Sequence, residues 1–118
     1  MSVRVLGEFR RAPDGAGLPA ADHRVQPDSA AEMAELLATA TEEGAVVVPW
    51  GAGIHQGLGN PIVPDVVAST RALNKILAWE PDDLTVVVEA GVTLGELEET
   101  IAVRRQTAAF PATTPDAT

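Results

Sequence analysis

The stretch that most constrains the fold is a strand-like run that leads directly into a glycine-rich loop. Residues Val46 to Gly59 read VVVPWGAGIHQGLG and begin with three β-branched residues. Five of the ten glycines of the chain lie between Gly44 and Gly59. Glycines crowd where a backbone has to turn tightly or approach another group closely. The pattern therefore predicts a short buried strand with a tight loop at its carboxyl end.

Such a loop can offer successive backbone N–H groups to a phosphate, and a plain surface loop is the alternative. The dinucleotide fingerprint would need a glycine where Gln56 stands, and Pro61 and Pro64 prevent a helix from following. The Gly-Lys-Ser/Thr of a P-loop is also missing. If this loop binds phosphate, it does so with backbone amides and without a helix N-terminus.

The first helix is predicted over Ala30 to Glu43. Ser29 and Glu32 have the spacing of a capping box, and Gly44 stands where a helix C-terminal glycine belongs. Apolar residues recur at helical spacing, at Met33, Leu36, Leu37 and Ala40.

A second helix is predicted from a capping box at Thr93 and Glu96 up to about Arg104. Its apolar stripe comprises Leu94, Leu97 and Ile101. We interpret Glu96, Glu98 and Glu99 as solvated helix surface and not as catalytic carboxylates.

Four short strands are predicted besides the helices, and Pro81-Asp82-Asp83 is a turn signal that makes the last two a hairpin. The predicted strands are Ala45–Val48, Val66–Ala68, Ile76–Glu80 and Leu84–Ala90. The fold class is therefore α+β, with two helices packed on short β-strands.

The first 24 residues are weakly patterned. Val3, Val5 and Phe9 alternate with polar neighbours and are compatible with a short strand, and Ala12–Ala21 is rich in Ala, Gly and Pro, like a linker. We expect an N-terminal segment over residues 1–24 and a domain over residues 25–118.

Charge and composition exclude several function classes. The net charge of −9 disfavours binding to nucleic acid and to anionic membranes. The chain has no cysteine, and its two histidines, His23 and His55, lack a metal-ligand spacing, so we expect no metal site. No apolar run is long enough for a membrane span, and no signal peptide is visible, which favours the cytoplasm.

The residues show no complete active site, and we assign no catalytic residue. His55 can donate to a phosphate or lie near a flavin, or it can be a plain exposed loop histidine. We expect Trp50 and Trp79 to serve packing.

Four pieces in order resemble the N-terminal part of the FAD-binding domain of the FAD-linked oxidases, the vanillyl-alcohol oxidase or PCMH type. They are Pro27-Asp28-Ser29 before the first helix, Val48 to Gly53, Leu73 to Ile76 followed by Leu84 to Leu94, and Pro111 to Thr118. Within that family, Leu58-Gly59-Asn60-Pro61 and Pro81 to Thr85 are most similar to the FAD-binding subunit of glycolate oxidase.

The resemblance implies FAD as cofactor and hydride transfer from a small 2-hydroxy acid such as glycolate or lactate. It also implies partner oxidase subunits. Ile54 stands where members with covalent flavin carry a histidine, so the flavin is expected to be non-covalent. The residues that the resemblance assigns to the cofactor are Trp50, Gly51, Ala52, Gly53, Ile54, His55, Gln56, Gly57, Pro111, Thr114 and Pro115.

Other functions stay open at this point. One is a UDP-N-acetylenolpyruvoylglucosamine reductase-like flavoprotein, and another is a non-catalytic nucleotide- or phosphate-binding module or an assembly subunit. The family pattern continues beyond Thr118, so we expect this chain to be part of a longer enzyme. Alone, we expect it to be inactive, to hold flavin weakly, and to be of low stability or to self-associate.

Overall fold

The structure is a computed structural model that describes residues 5–109 and 115–118. Pro111 and Thr114, assigned above to the cofactor, and Val3, assigned to a strand, lie outside the described residues. The helices are α1 (Ala30–Glu43) and α2 (Leu94–Ala102). The strands are β1 (His23–Val25), β2 (Val47–Trp50), β3 (Val66–Ser69), β4 (Ile76–Glu80) and β5 (Thr85–Val88). This mixture of two helices and short strands confirms the predicted α+β class.

Three of the strands form a parallel sheet in the order β1-β3-β2. Val25 pairs with Ala68, and Trp50 pairs with Ser69. All four residues of the central strand β3 are buried, as expected for a strand covered on both faces. The other two strands form the expected antiparallel hairpin β4–β5.

Helix α1 begins and ends at the capping residues that the sequence predicts. The Ser29 hydroxyl accepts the Glu32 N–H at 3.1 Å, and Gly44 adopts a left-handed φ of 65° that ends the helix. Glu32 accepts the N–H of Asp28 at 3.1 Å, one residue before the cap. Leu37, predicted to belong to the apolar stripe, is instead 47% exposed, whereas Leu36 is fully buried.

Strand β2 begins and ends two residues later than predicted, because it continues through Pro49 to Trp50. The predicted strand stops at Val48, directly before this proline. In the order β1-β3-β2, however, this strand pairs with a neighbour on one side only, and proline is tolerated on an edge strand, where no donor is required on the open side.

The N-terminal segment differs from the predicted strand. Residues Leu6–Glu8 form a 3-10 helix, and Leu6 and Phe9 are each only 5% exposed. Side chains three residues apart lie on one side of such a turn, so both reach the main core, where they pack with Val25 and Leu36. The buried side chains here recur every third residue, whereas the strand prediction assumed that every second residue is buried.

Residues 10–12 run along β1. The linker-like stretch, predicted over Ala12–Ala21, therefore begins only after Ala12. The N–H of Ala12 donates to the carbonyl of Arg24 at 2.8 Å, and the N–H of Gln26 donates to the carbonyl of Arg10 at 2.8 Å. Ala12 itself is buried. An antiparallel bridge between Arg11 and Val25 completes this cover.

Helix α2 and the hairpin share a second core. Val92, Leu97 and Ile101 are buried there against Trp79, whose indole N–H donates to Gln106 Oε1 at 3.1 Å. The packing role expected for Trp79 is therefore confirmed. Strand β5 begins one residue later than predicted, because a turn over residues 81–84 ends at Leu84 in a left-handed conformation with φ of 56°, and it ends two residues earlier, at Val88.

The end of α2 also differs from its prediction. The helix stops at Ala102, and Arg104 pairs with Asp82 of the hairpin turn at 3.2 Å. Glu98, predicted to be simply solvated, accepts the N–H of Ala108 at 2.7 Å and the hydroxyl of Thr107 at 3.1 Å. It thereby fixes the segment that follows the helix.

Gly91 brings the start of α2 next to the end of β3. Its N–H donates to the carbonyl of Leu73 at 2.7 Å. A Cβ at this position would overlap the carbonyl oxygen of Thr70 and approach that of Leu73 to 2.7 Å. Only glycine allows two stretches of backbone to come this close. Over the part of the chain that the structure describes, neither helix meets the length and apolarity needed to cross a membrane.

Candidate functional site

The candidate site lies where the three parallel strands end. Their carboxyl ends are at Val25, Trp50 and Ser69, and parallel pairing places these ends at the same edge of the sheet. In open sheets of this kind, ligands bind outside the carboxyl ends of the strands. The glycine-rich loop leaves the sheet at this edge, directly after Trp50.

Two glycines of the loop are required for different reasons. Gly53 has a φ of 77°, and a Cβ there would lie 2.7 Å from Cζ2 of the Trp50 indole. Gly51 faces Thr118, whose hydroxyl oxygen a Cβ at position 51 would overlap. The loop therefore folds closely over the Trp50 ring at one point and against the C-terminal residues at another.

The side chain of Gln56 ties the loop to the strand. Its amide donates to the carbonyl of Pro49 at 3.1 Å, and the N–H of Leu58 donates to the carbonyl of His55 at 3.1 Å. Both His55 and Ile54 are exposed. Gln56, which rules out the dinucleotide fingerprint, thus helps to shape the loop.

Successive N–H groups of this loop, from Gly53 to Gly57, have no acceptor among the described residues. Within residues 5–109 and 115–118, the N–H groups of Gly53, Ile54 and His55 donate no hydrogen bond to the protein. Consecutive unpaired N–H groups in a turn form an anion-binding concavity. An oxyanion can replace the water that such groups otherwise bind.

A cleft of about 120 Å³ runs along this part of the loop. Ala117 and Thr118 form its other wall, and the N–H of Ala52 donates to the Thr118 hydroxyl at 3.3 Å. Six of the residues assigned to the cofactor line this cleft: Gly51, Ala52, Gly53, Ile54, His55 and Gln56. Trp50 and Gly57 line a second cleft of about 460 Å³, which Gln56 also reaches.

The N-terminus of α2 is already occupied by backbone. The N–H of Leu94 donates to the carbonyl of Ala117, and that of Gly95 to the carbonyl of Pro115, each at 2.8 Å. Pro115 therefore holds the C-terminal residues at the helix end, and it is not among the residues that line the 120 Å³ cleft. Any anion bound near this edge relies on the loop and not on the first N–H groups of α2.

The capping carboxylate of α2 carries the one pKa shift resolved in the described residues. Glu96 accepts hydrogen bonds from the N–H and the hydroxyl of Thr93, at 2.8 and 3.0 Å. These bonds, helped by the positive charge of Arg71, lower the pKa of Glu96 below its ordinary value of 4.5. Hydrogen bonds to the ionised form favour that form.

This shift predicts a pH dependence of stability. Because the folded state lowers the pKa, the stabilisation by Glu96 is complete above the ordinary value of 4.5 and is lost as the pH falls through the lower folded value. We expect the urea midpoint of the wild type to fall in this acid range more steeply than that of Glu96→Gln, which keeps an acceptor but does not titrate. Parallel curves for the two proteins would contradict this.

Sequence reasoning missed Thr70, which follows β3 at the same edge. Thr70 is 8% exposed, and its hydroxyl has no hydrogen-bond partner among the described residues. Leaving such a group unpaired costs about 1 to 3 kcal/mol. The available signal was a pair of polar residues, Ser69-Thr70, directly after a buried apolar strand.

The residues at this edge fit a bound FAD. Three loop N–H groups are unpaired, the hydroxyl of Thr70 lacks an acceptor, and Gly51 lets an oxygen atom, here that of Thr118, approach the loop backbone closely. These are donors without cationic side chains, which suits a pyrophosphate held by backbone. The described part of the chain brings no three His, Asp or Glu side chains together in an arrangement for a metal ion.

Comparison with solved structures finds the same fold in parts of several larger proteins. BBE-like #28 from Arabidopsis thaliana matches at 28% identity with a TM-score of 0.65, over 82% of this chain and 20% of that one. An alkyldihydroxyacetonephosphate synthase matches at 26% identity with a TM-score of 0.61, over 71% of this chain and 18% of that one. p-Cresol methylhydroxylase, at 21% identity and a TM-score of 0.67, shares the fold over 80% of this chain and 19% of its own length.

No curated protein matches the chain. It spans about a fifth of the length of the solved structures named above. A family model described as an FAD binding domain matches residues 21–118. The chain therefore belongs to the FAD-binding domain family of the FAD-linked oxidases, and it represents an N-terminal part of that domain.

Proposed function

We propose that this chain binds the pyrophosphate of FAD with the backbone of its glycine-rich loop, as part of an oxidoreductase that oxidises a small 2-hydroxy acid. The observation that carries the binding role is the set of three unpaired N–H groups at Gly53, Ile54 and His55. They follow the carboxyl end of β2 and lie within the residues that the FAD-binding family model matches.

The substrate class rests on sequence similarity. Leu58 to Pro61 and Pro81 to Thr85 resemble the FAD-binding subunit of glycolate oxidase. When bound, FAD would supply a two-electron oxidation: it would accept the hydride from the carbon that bears the hydroxyl, and the hydroxyl would release its proton, which leaves a 2-oxo acid. The residues of this chain contribute binding and orientation of the cofactor.

Binding is tested by titrating the purified 118-residue chain with FAD and following the quenching of flavin fluorescence. We expect saturable, non-covalent binding that is released when the protein is denatured. A chain that stays colourless and leaves the fluorescence of added FAD unchanged would refute the proposed cofactor role for this chain.

The substrate is tested on the longest reading frame that contains this chain. We expect that protein to reduce an artificial electron acceptor with glycolate or lactate, and the 118-residue chain alone to give no turnover. Oxidation of neither acid by a flavin-loaded protein would refute the 2-hydroxy acid proposal while leaving the FAD proposal intact.

A further inference from the structure

Thr70 has a side chain whose hydrogen bonding is incomplete, although its backbone is fully paired. Its N–H donates to the carbonyl of Trp50 at 3.1 Å, and its carbonyl accepts the N–H of Leu73 at 2.9 Å. The hydroxyl is buried and has no partner within residues 5–109 and 115–118. A native structure pairs most buried hydroxyls, so an unpaired one calls for a ligand or another explanation.

The neighbouring serine shows that hydroxyls at this edge can be satisfied internally. Ser69 Oγ lies 3.3 Å from Gln26 Oε1, to which it donates, and accepts the N–H of Arg71 at 3.3 Å. Ser69 and Thr70 both lie at the carboxyl end of β3, and of these two only Thr70 has a hydroxyl that donates no hydrogen bond.

The unused hydroxyl lies beside the start of the glycine-rich loop. Thr70 Oγ1 is 3.7 Å from the point at which Gly51 would carry a Cβ. The hydroxyl oxygen of Thr118 already sits in front of Gly51 and accepts the N–H of Ala52 at 3.3 Å. The position in front of Gly51 thus holds an oxygen atom that accepts a hydrogen bond from the loop backbone.

We infer that the Thr70 hydroxyl is a ligand of the FAD pyrophosphate, to which it donates a hydrogen bond. The inference deepens the proposed function and depends on it. A phosphate oxygen only accepts hydrogen bonds, and a hydroxyl without another acceptor is free to donate. The phosphate oxygen takes the place of the Thr118 hydroxyl in front of Gly51, between the loop N–H groups and Thr70.

The test compares Thr70→Val, which keeps the shape and removes the hydroxyl, with Thr70→Ser, which keeps the hydroxyl. Each variant and the wild-type chain are titrated with FAD, with ADP and with riboflavin. We expect Thr70→Val to bind FAD and ADP about tenfold more weakly, Thr70→Ser to bind within about twofold to threefold of the wild type, and riboflavin binding to stay unchanged.

Stability without ligand provides an independent readout. Because Thr70→Val removes a buried group that has no partner, we expect this variant to melt at or above the wild-type temperature when FAD is absent. A clearly lower melting temperature would mean that the hydroxyl has a partner within the protein, and the inference would be overturned.

The outcomes separate this inference from the proposed function. Equal FAD affinity of Thr70→Val and the wild type overturns the role of Thr70 and leaves FAD binding standing. A loss confined to riboflavin overturns the assignment to the pyrophosphate. A wild-type chain that binds neither FAD nor ADP overturns the proposed function and, with it, this inference.

Discussion

Replacing Gly91 with alanine is expected to destabilise the domain more than any other single change described here. The added Cβ would overlap the carbonyl oxygen of Thr70 and come within 2.7 Å of that of Leu73. Both are backbone atoms, and Gly91 also donates a 2.7 Å hydrogen bond to Leu73. The chain cannot relieve this contact by rotating a side chain, so the end of β3 and the start of α2 have to separate.

We expect a loss of about 3 kcal/mol in the free energy of unfolding, at the upper end of the range for overpacking. For a domain of this size, this corresponds to a fall of roughly 10 to 20 °C in melting temperature. Urea unfolding followed by circular dichroism measures the effect. Gly7→Ala is the matched control, because its Cβ would meet only His23 Cε1 at 3.9 Å. A Gly91→Ala protein as stable as this control would show that the two backbones can move apart at little cost.

The second large effect is expected at Gly53, where alanine should abolish or strongly weaken FAD binding. Gly53 has a left-handed φ of 77°, and a Cβ there would lie within 2.7 to 2.9 Å of three atoms of the Trp50 indole. The left-handed conformation costs a non-glycine residue about 1 to 2 kcal/mol. The loop would therefore leave its present path, and the unpaired N–H groups of Gly53, Ile54 and His55 would be displaced with it.

We expect at least a tenfold loss of FAD affinity for Gly53→Ala, with a smaller change in melting temperature than for Gly91→Ala, because the loop is largely exposed. Gly7→Ala is again the control, since it lies outside the loop and its added Cβ would meet only His23 Cε1 at 3.9 Å. Equal affinity of Gly53→Ala and the wild type would exclude the present loop path as the binding conformation.

The features predicted best from the sequence are those set by neighbouring residues. The caps at Ser29 and Thr93, the left-handed Gly44 and the hairpin turn after Glu80 depend on residues within a few positions of one another. Side-chain and backbone groups this close in sequence meet in almost any tertiary context.

The features that could not be predicted depend on distant parts of the chain. Pro49 belongs to β2 because that strand is at the edge of its sheet, which only the strand order reveals. Leu6 and Phe9 reach the core because α1 and β3 offer them a surface there. The unpaired hydroxyl of Thr70 becomes visible only once all of its surroundings are known.

The position of Pro49 on the edge of the sheet also limits the hydrogen bonding of an additional strand to β2. The Trp50 carbonyl accepts a hydrogen bond from Thr70, on the side of β3. Because the backbone groups of successive strand residues point to opposite sides, those of Pro49 point to the open edge of the sheet. Proline offers no N–H there, and its carbonyl is taken by Gln56. On the opposite side, residues 10–12 already pair with β1. The backbone at Pro49 therefore offers neither a free donor nor a free carbonyl to an added strand, which disfavours strand addition at this point of the β2 edge.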